Sequence, residues 1–177
     1  MTQYAGKSWV FGNDIGTDLL APGLYMKRPI EEIARHCLED VDPKFAAGVA
    51  RGDVVVAGRN FGMGSSREQA AEALLHLGVS AVLAKSYGGL FYRNALNLGL
   101  LALICAETDR IDAGDRIAVE PETGMVRNLT RNEIYACEPV PAHLMEMVRA
   151  GGLVPHLERK LQAQRAAATG SSSLAAD

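Results

Sequence analysis

The sequence predicts a single α/β domain with a parallel core and an antiparallel portion after it. Between residues 54 and 105, short apolar runs alternate with helical patterns, which is typical of parallel β-α-β units with right-handed crossovers. Between residues 114 and 138 the pattern changes to strand, turn and strand, which favours antiparallel pairing. The length of 177 residues and the hydrophobic content of 48% suit one domain that buries its own core.

The chain before residue 54 is predicted to hold one strand and two helices. Apolar residues recur at helical spacing after Pro29, whereas Pro22 and Gly23 interrupt the segment before it. In chain order, the predicted elements are a strand at 8–12, a loop at 13–18, an irregular segment at 19–28, a helix at 29–38 and a short helix within 42–48.

The central part carries the alternating pattern, and Gly78 and Gly99 are expected to end its two helices. Its predicted elements are strands at 54–57, 79–85 and 100–105, with helices at 67–77 and 88–98. The last part is predicted to hold strands at 114–120, 125–127 and 133–138 and helices at 141–150 and 154–165. Residues 1–165 therefore form the predicted domain. Residues 166–177 are small and polar, which favours a disordered tail.

Composition argues against several classes of protein. The formal net charge is −3, basic residues form no block, and aromatic residues make up 6%, so we expect no nucleic-acid surface. No apolar run approaches the roughly 18 residues of a membrane span, and the first residues lack the pattern of a signal peptide. The three cysteines, Cys37, Cys105 and Cys137, are widely spaced. They favour a reducing cytoplasm and offer no local metal or cluster site.

Residues 58–69 read Gly-Arg-Asn-Phe-Gly-Met-Gly-Ser-Ser-Arg-Glu-Gln and lie between a predicted strand and a predicted helix. Glycines allow positive φ and let backbone N–H groups turn inward, which makes Gly62 and Gly64 candidate backbone donors. Together with the dipole of the following helix, these groups favour an anion. Two hydroxyls and a guanidinium, from residues 65–67, lie at the mouth of this predicted anion site.

A purely structural interpretation is that a serine of this segment caps the helix. Ser65 with Glu68, and Ser66 with Gln69, both have the spacing of a capping box, but only one serine can cap. If Ser66 is the cap, the Ser65 hydroxyl is free and faces the loop amides. Capping does not explain Arg67, because the helix dipole disfavours a cation in the first turn.

The segment resembles the signature of the aconitase swivel domain. The resemblance runs from about residue 11 to about residue 157, and includes Asp-Ile-Gly-Thr-Asp at 14–18 and Tyr-Arg-Asn-Ala-Leu-Asn-Leu-Gly at 92–99. It implies a three-layer β/β/α swivel fold. Free-standing swivel domains are the small subunits of hydro-lyases that act on 2-alkylmalates or homoaconitate. The sequence departs from the family at Gln69, where histidine is usual.

The resemblance also implies roles for the serines and the arginine. The serine at the position of Ser65 is the family's catalytic base, and Arg67, with Ser66 beside it, binds substrate. A loop of aligned N–H groups could stabilise a serine alkoxide, and an arginine can grip a carboxylate with two hydrogen bonds. The family's Lewis acid is a 4Fe-4S cluster. This chain has no cysteine spacing for one, so the cluster is expected in a large-subunit partner, within a heterodimer or heterotetramer.

Two further segments are candidates by the same resemblance. Asp18 matches the family's active-site aspartate, although an Asx-turn that ties the loop to itself is a structural alternative. In the loop that follows, either Lys27 or Arg28 could be the cation beside the variable group of the substrate. Leu24 and Met26 could face an alkyl group, or could equally be packing residues.

The expected activity is therefore interconversion of 2-isopropylmalate and 3-isopropylmalate, a cytoplasmic step of leucine biosynthesis. Small subunits that act on homoaconitate, dimethylmalate or a citraconate and methylmalate pair are the alternatives within the family. An alternative of a different class is a phosphate- or nucleotide-binding module, in which the glycine loop binds an anion and no reaction is catalysed. Neither of the two common phosphate motifs is present in the loop.

Overall fold

A computed structural model describes residues 4–173 of the chain, with side chains described for residues 4–167. The strands are β1 (Tyr4–Val10), β2 (Val54–Ala57), β3 (Ala81–Ala84), β4 (Leu101–Ile104), β5 (Arg116–Glu120), β6 (Met125–Asn128) and β7 (Glu133–Ala136). The helices are α1 (Thr17–Leu20), α2 (Ile30–Arg35), α3 (Phe45–Gly48), α4 (Gln69–His76), α5 (Gly89–Leu98), α6 (Ala142–Ala150) and α7 (Leu153–Ser173). Short 3₁₀ turns occupy Gly23–Tyr25 and Thr108–Arg110.

The seven strands form one mixed sheet in the order β4-β3-β2-β1-β5-β6-β7. Strands β1 to β4 are parallel, and Val10 lies beside Val56 while Ala57 lies beside Ala84. Strand β5 pairs antiparallel with β1, and β6 and β7 continue antiparallel from it. The mixed α/β architecture predicted from the sequence is therefore confirmed, and β1 belongs to the parallel part.

The side chains of the parallel strands pack alternately into two core clusters, because successive side chains point to opposite faces of a sheet. Val55 and Ala57 of β2 pack with helices α2 and α4 on one face, whereas Val54 and Val56 face the other cluster. That second cluster includes Val126 from the antiparallel strands together with residues of α6. The antiparallel strands thus curl over the face of the parallel sheet opposite the helices, which gives the three expected layers.

Glycine directly follows two of the helices, and one of these glycines, Gly99, was expected to end its helix. The residue after α5 is Gly99 and the residue after α6 is Gly151, and both adopt the left-handed conformation with φ near +90°. Glycine takes this conformation without the steric cost that a side chain brings. A Cβ on Gly99 would lie 2.9 Å from the Gly151 backbone, so the two helix ends also pack closely on each other.

Several boundaries differ from the sequence-based expectations, beginning with β1, which occupies Tyr4–Val10 instead of residues 8–12. Thr17–Leu20 is a helical turn rather than part of a loop, and the N–H of its first residue, Thr17, donates to the carbonyl of Met63 in the glycine loop described below. Helix α4 begins at Gln69 instead of about residue 67. Helix α7 continues to Ser173, so residues 166–173 lie in a helix where a disordered tail was expected. Alanine has the highest helix propensity, and three alanines follow residue 165. Residues 174–177 lie outside the described part.

Candidate functional site

Three loops meet at the carboxyl end of the parallel strands. They follow β1, β2 and β3, and backbone hydrogen bonds join each one to the next: the N–H of Gly58 donates to Gly12 (3.0 Å), and the N–H of Lys85 donates to Gly58 (3.0 Å). The carboxyl edge of a parallel sheet is where α/β proteins place their ligands. The glycine-rich loop after β2 occupies the middle position of the three.

Gly62 holds the glycine loop against its neighbours. Its N–H donates to the carbonyl of Ile15 at 2.7 Å, and its φ is +73°. A Cβ on Gly62 would overlap the ring of Phe91, so only glycine fits this position. This geometry corrects one expectation: the N–H of Gly62 is used to fix the loop, and it is not free to bind an anion.

Aromatic rings pack against the glycine loop. Phe61 packs edge-on against Tyr87 and Phe91, with ring centroids 6.1 and 5.2 Å apart. The Tyr87 hydroxyl donates to the carbonyls of Val82 (2.8 Å) and Leu103 (2.9 Å), and burial raises its pKa well above the usual value. Tyr87 is therefore a neutral brace between two strands and the loop.

Ser65 meets Thr17 at the centre of the site. The N–H of Thr17 donates to the carbonyl of Met63 (2.8 Å), and this pairing brings the Thr17 hydroxyl oxygen to 3.2 Å from the Ser65 hydroxyl oxygen. Thr17 is 2% exposed, whereas Ser65 is exposed. The hydroxyl of a buried residue thus contacts the hydroxyl of an exposed one.

The backbone around Ser65 offers hydrogen-bond donors. Among the described residues, the N–H groups of Gly64, Ser65 and Ser66 have no acceptor, and Gly64 has a φ of +110°. Consecutive free N–H groups in a loop form a concavity that suits an anion. Gly64 can therefore act as a backbone donor to an anion, as predicted, whereas Gly62 cannot.

Ser66 does not cap helix α4. The residue before the helix is Glu68, and no side chain caps the first turn, so the capping-box interpretation of both serines is wrong. The side-chain amide of Asn94 in α5 donates to the Ser66 carbonyl at 3.4 Å, which ties the loop to a second helix. Ser66 is exposed next to Ser65, where it is placed to contact a ligand.

Arg67 crosses from the glycine loop to the segment after α1. Its Nη1 donates to the carbonyl of Ala21 at 3.0 Å, and the side chain is half-buried. This bond gives the cation near the start of α4 a carbonyl partner in another segment. A guanidinium has five N–H donors, so this tether leaves donors for a carboxylate.

Asp18 lies in α1, exposed, beside the glycine loop. A Cβ on Gly16 would overlap the carboxylate of Asp18, so any side chain at residue 16 would displace that carboxylate. The glycine at this position therefore leaves Asp18 close to the backbone of its own loop. Within the part of the chain that the structure describes, the Asp18 side chain forms no hydrogen bond.

The two apolar candidates in the loop from residue 22 to residue 28 differ in exposure. Leu24 is 84% exposed, whereas Met26 packs against the core beside the helices. Lys27 and Arg28 are both exposed, and Arg28 Nε lies 3.8 Å from the carboxylate of Glu32. Of the two apolar candidates, only Leu24 is directed away from the protein.

Sequence reasoning missed Thr17 and a pair that holds the loops in place. The side-chain amide of Asn60 donates to the carboxylate of Asp14 at 2.7 Å, and both residues have φ of +59°. Asparagine and aspartate tolerate this conformation better than most residues. In the sequence, the only indication of this contact was that an aspartate and an asparagine, which both favour turns, occur in the two loops.

The described residues contain no group of three or more histidine, cysteine, aspartate or glutamate side chains arranged to hold a metal ion. In the same part of the chain, none of the helices is long and apolar enough to cross a membrane.

Comparison with known proteins gives the family. Residues 39–108 match the model of the aconitase C-terminal domain. The chain is 49% identical to 3-isopropylmalate dehydratase small subunit 1 of Archaeoglobus fulgidus, over 84% of this chain and 93% of that protein. It is 44% identical to the methanogen homoaconitase small subunit of Methanothermobacter thermautotrophicus, over 85% and 88%. The crystal structure of 3-isopropylmalate dehydratase (leuD) from Methanocaldococcus jannaschii superposes with a TM-score of 0.88 at 39% identity, over 93% and 98%.

The fold and its loop cluster are those of an aconitase-type swivel domain. The chain belongs to the family of 3-isopropylmalate dehydratase small subunits, as the motifs at 58–69 and 92–99 indicated. A hydro-lyase family fits a site that presents hydroxyl, guanidinium and free backbone N–H groups to solvent.

Proposed function

We propose that this chain is the small subunit of a two-chain hydro-lyase that interconverts 2-isopropylmalate and 3-isopropylmalate by dehydration and rehydration. The observation that carries the proposal is the exposed Ser65 hydroxyl, which lies 3.2 Å from buried Thr17 and between free N–H groups and Arg67. In this role the chain takes part in leucine biosynthesis in the cytoplasm.

Ser65 is the proposed base: as the alkoxide, its Oγ takes the proton removed from the substrate carbon and becomes the hydroxyl. A serine oxygen accepts a proton only when its anionic form is stabilised. The free N–H group of Gly64 and a hydrogen bond from the Thr17 hydroxyl can each favour that form. We assign to these neighbours the work of holding the oxygen in place and lowering the cost of its charge.

Arg67 is the proposed carboxylate ligand. Its tether to the Ala21 carbonyl fixes the direction of the guanidinium before substrate arrives, which lowers the entropy lost on binding. Ser66, beside it, supplies a hydroxyl and an N–H. A malate carboxylate that meets Arg67 and the Ser66 N–H would lie next to the Ser65 oxygen, where proton transfer needs hydrogen-bond distance.

The rest of the active site belongs, in this proposal, to a large subunit that carries a 4Fe-4S cluster. The described residues of this chain do not fit a cluster, because they include no group of three or more metal-binding side chains and Cys37 is buried. Ser65, Leu24 and Met63 are all exposed around the site. Their exposure fits an active site that a partner completes.

Substrate choice is assigned to the loop from residue 22 to residue 28. The 84% exposure of Leu24 favours a substrate with an alkyl group, such as isopropylmalate. The alternative is homoaconitate, which would place a carboxylate there and use Lys27 or Arg28. The similarity to a homoaconitase small subunit keeps that second candidate open to test.

The test is a substrate panel with the reconstituted complex. The chain is combined with its cluster-loaded large subunit, and kcat/KM is measured for 3-isopropylmalate, homoaconitate and dimethylmalate. The proposal expects isopropylmalate to be preferred by at least tenfold, which is the scale of discrimination by apolar contacts. A preference for homoaconitate would assign the chain to the alternative.

A further inference from the structure

Cys105 and Cys137 face each other where the two ends of the sheet meet. Cys105 directly follows β4 and Cys137 directly follows β7, and these are the first and last strands in the sheet order. The two residues form an isolated antiparallel bridge. This bridge therefore joins the edges of the curled sheet.

The backbone pattern around the bridge sets the distance between the two residues. The N–H of Glu138 donates to the carbonyl of Ile104 at 2.9 Å, so the hydrogen bond lies beside the cysteines and not between them. Residues opposite each other in this type of antiparallel pair have Cα atoms about 4.5 Å apart, and their side chains are close on the same face. Disulfides form between Cα atoms roughly 4.4–6.8 Å apart. The usual geometry of this type of antiparallel pair therefore suits a disulfide.

The two thiols also interact with each other. A hydrogen bond from Cys137 lowers the pKa of Cys105, because the Cys105 thiolate is the better acceptor, and the same contact together with burial raises the pKa of Cys137. Cys105 is buried, whereas Cys137 is half-buried, so the pair has one side open to small molecules. The remaining cysteine, Cys37, is buried in the other core cluster.

We propose that Cys105 and Cys137 are a redox-modification site that hydrogen peroxide converts to an intramolecular disulfide. One thiolate of the pair attacks a peroxide oxygen, the O–O bond breaks, and a sulfenic acid and one water form. The second thiol attacks the sulfenic sulfur, the S–S bond forms, and a second water leaves. Two thiols are oxidised and one peroxide is reduced to two waters. A dithiol reductant such as dithiothreitol reverses the reaction by thiol–disulfide exchange.

The disulfide closes the sheet covalently at its two edges. A cross-link between residues 105 and 137 restricts the unfolded chain, and a loop of this size is expected to raise Tm by roughly 5–10 °C. Leu103, two residues before Cys105, accepts the hydrogen bond of Tyr87, the residue that braces the glycine loop. Oxidation therefore strengthens the edge that supports the site.

Peptide mapping of the full-length chain tests the proposal. The reduced protein is treated with hydrogen peroxide, its remaining thiols are alkylated in denaturant, and a tryptic digest is analysed by mass spectrometry. We expect a mass loss of two hydrogens, one alkylated thiol at Cys37, and a linked pair of peptides, 94–110 and 132–149. Dithiothreitol should release the two peptides and return Tm to the value of the reduced protein.

Two variants provide matched controls. Cys37→Ser should leave both the linkage and the Tm increase unchanged, whereas Cys137→Ser should abolish both, at a half-buried position where serine is tolerated. Three free thiols after peroxide treatment, a linkage that involves Cys37, or sulfinic acid at Cys137 in place of the linkage would each overturn the proposal. The measurement on the parent chain stands even if a variant fails to fold.

Discussion

Ser65 and Ser66 are adjacent in the sequence, yet only the Ser65 hydroxyl reaches Thr17 across the site, at 3.2 Å. The hydroxyl of Ser66 forms no hydrogen bond with the described residues, and the helix that it was expected to cap begins three residues later. At the scale of single residues, the structure therefore separates a proposed catalytic group from a neighbour that was assigned a stabilising role.

The two serines make the first prediction. Ser65→Ala should lower kcat of the reconstituted complex by about 10²–10⁴-fold, the usual contribution of a general base, with Tm close to that of the parent chain. Ser66→Ala is the matched control, and its stability should change by less than about 0.5 kcal/mol because no cap is lost. Equal loss of turnover in both variants would show that the assignment of the base to Ser65 is wrong.

Thr17 gives the second prediction. Its buried hydroxyl has Ser65 as its partner, and one hydrogen bond contributes about 0.5–1.5 kcal/mol. Thr17→Val should thus lower kcat by roughly 2- to 12-fold while KM changes little, and Thr17→Ser should restore kcat. Steady-state kinetics on the complex, with a melting curve for each variant, measures this. A Thr17→Ser variant as impaired as Thr17→Val would mean that the methyl group matters and the hydroxyl does not.

Leu24 and Met26 provide the third prediction. Leu24 is exposed and Met26 packs against the core, so the two truncations should differ in kind. Leu24→Ala should change the ratio of kcat/KM between isopropylmalate and homoaconitate, by about 1–3 kcal/mol of discrimination, without a change in Tm. Met26→Ala should lower Tm and leave that ratio alone. The opposite pattern would place Met26 at the substrate.

At the scale of elements, the glycine loop depends on close approach between neighbouring segments. Gly62 has a positive φ, and a Cβ there would overlap the Phe91 ring. Gly62→Ala should therefore destabilise the protein by at least about 1–3 kcal/mol, because strain and overpacking both act. Gly89 at the start of α5 has open space around its Cα, so Gly89→Ala is the control and should be nearly neutral. Chemical denaturation of both variants measures the difference.

Most elements were predictable because local patterns determine them. The apolar runs that became β2, β3 and β4, and the glycine that ends α5, were found close to their true positions. The start of α4 was not, because a capping box is a local signal and the loop is held by Asn94 from another helix. The helical turn at Thr17–Leu20 was missed for the same reason, since its first N–H is bound to Met63 in a distant loop.

At the scale of the whole molecule, the site exists because β1 and β2 are parallel neighbours in the sheet. Thr17 and Ser65 are 48 residues apart in sequence, and no periodicity connects them. The motifs identified the residue types of the site, including Ser65, Arg67 and Asp18. The fold then decided which groups are free: the N–H of Gly62 is bound by Ile15, whereas that of Gly64 is not. Such distinctions require the three-dimensional structure.

The central claim is that this chain contributes Ser65 to an active site that a cluster-bearing large subunit completes. The most direct measurement is the rate of 3-isopropylmalate conversion by four samples: the chain alone, the large subunit alone, the two combined, and the combination with Ser65→Ala. We predict turnover only in the combination of large subunit with the parent chain. Turnover by the chain alone, or undiminished turnover with Ser65→Ala, would contradict the claim.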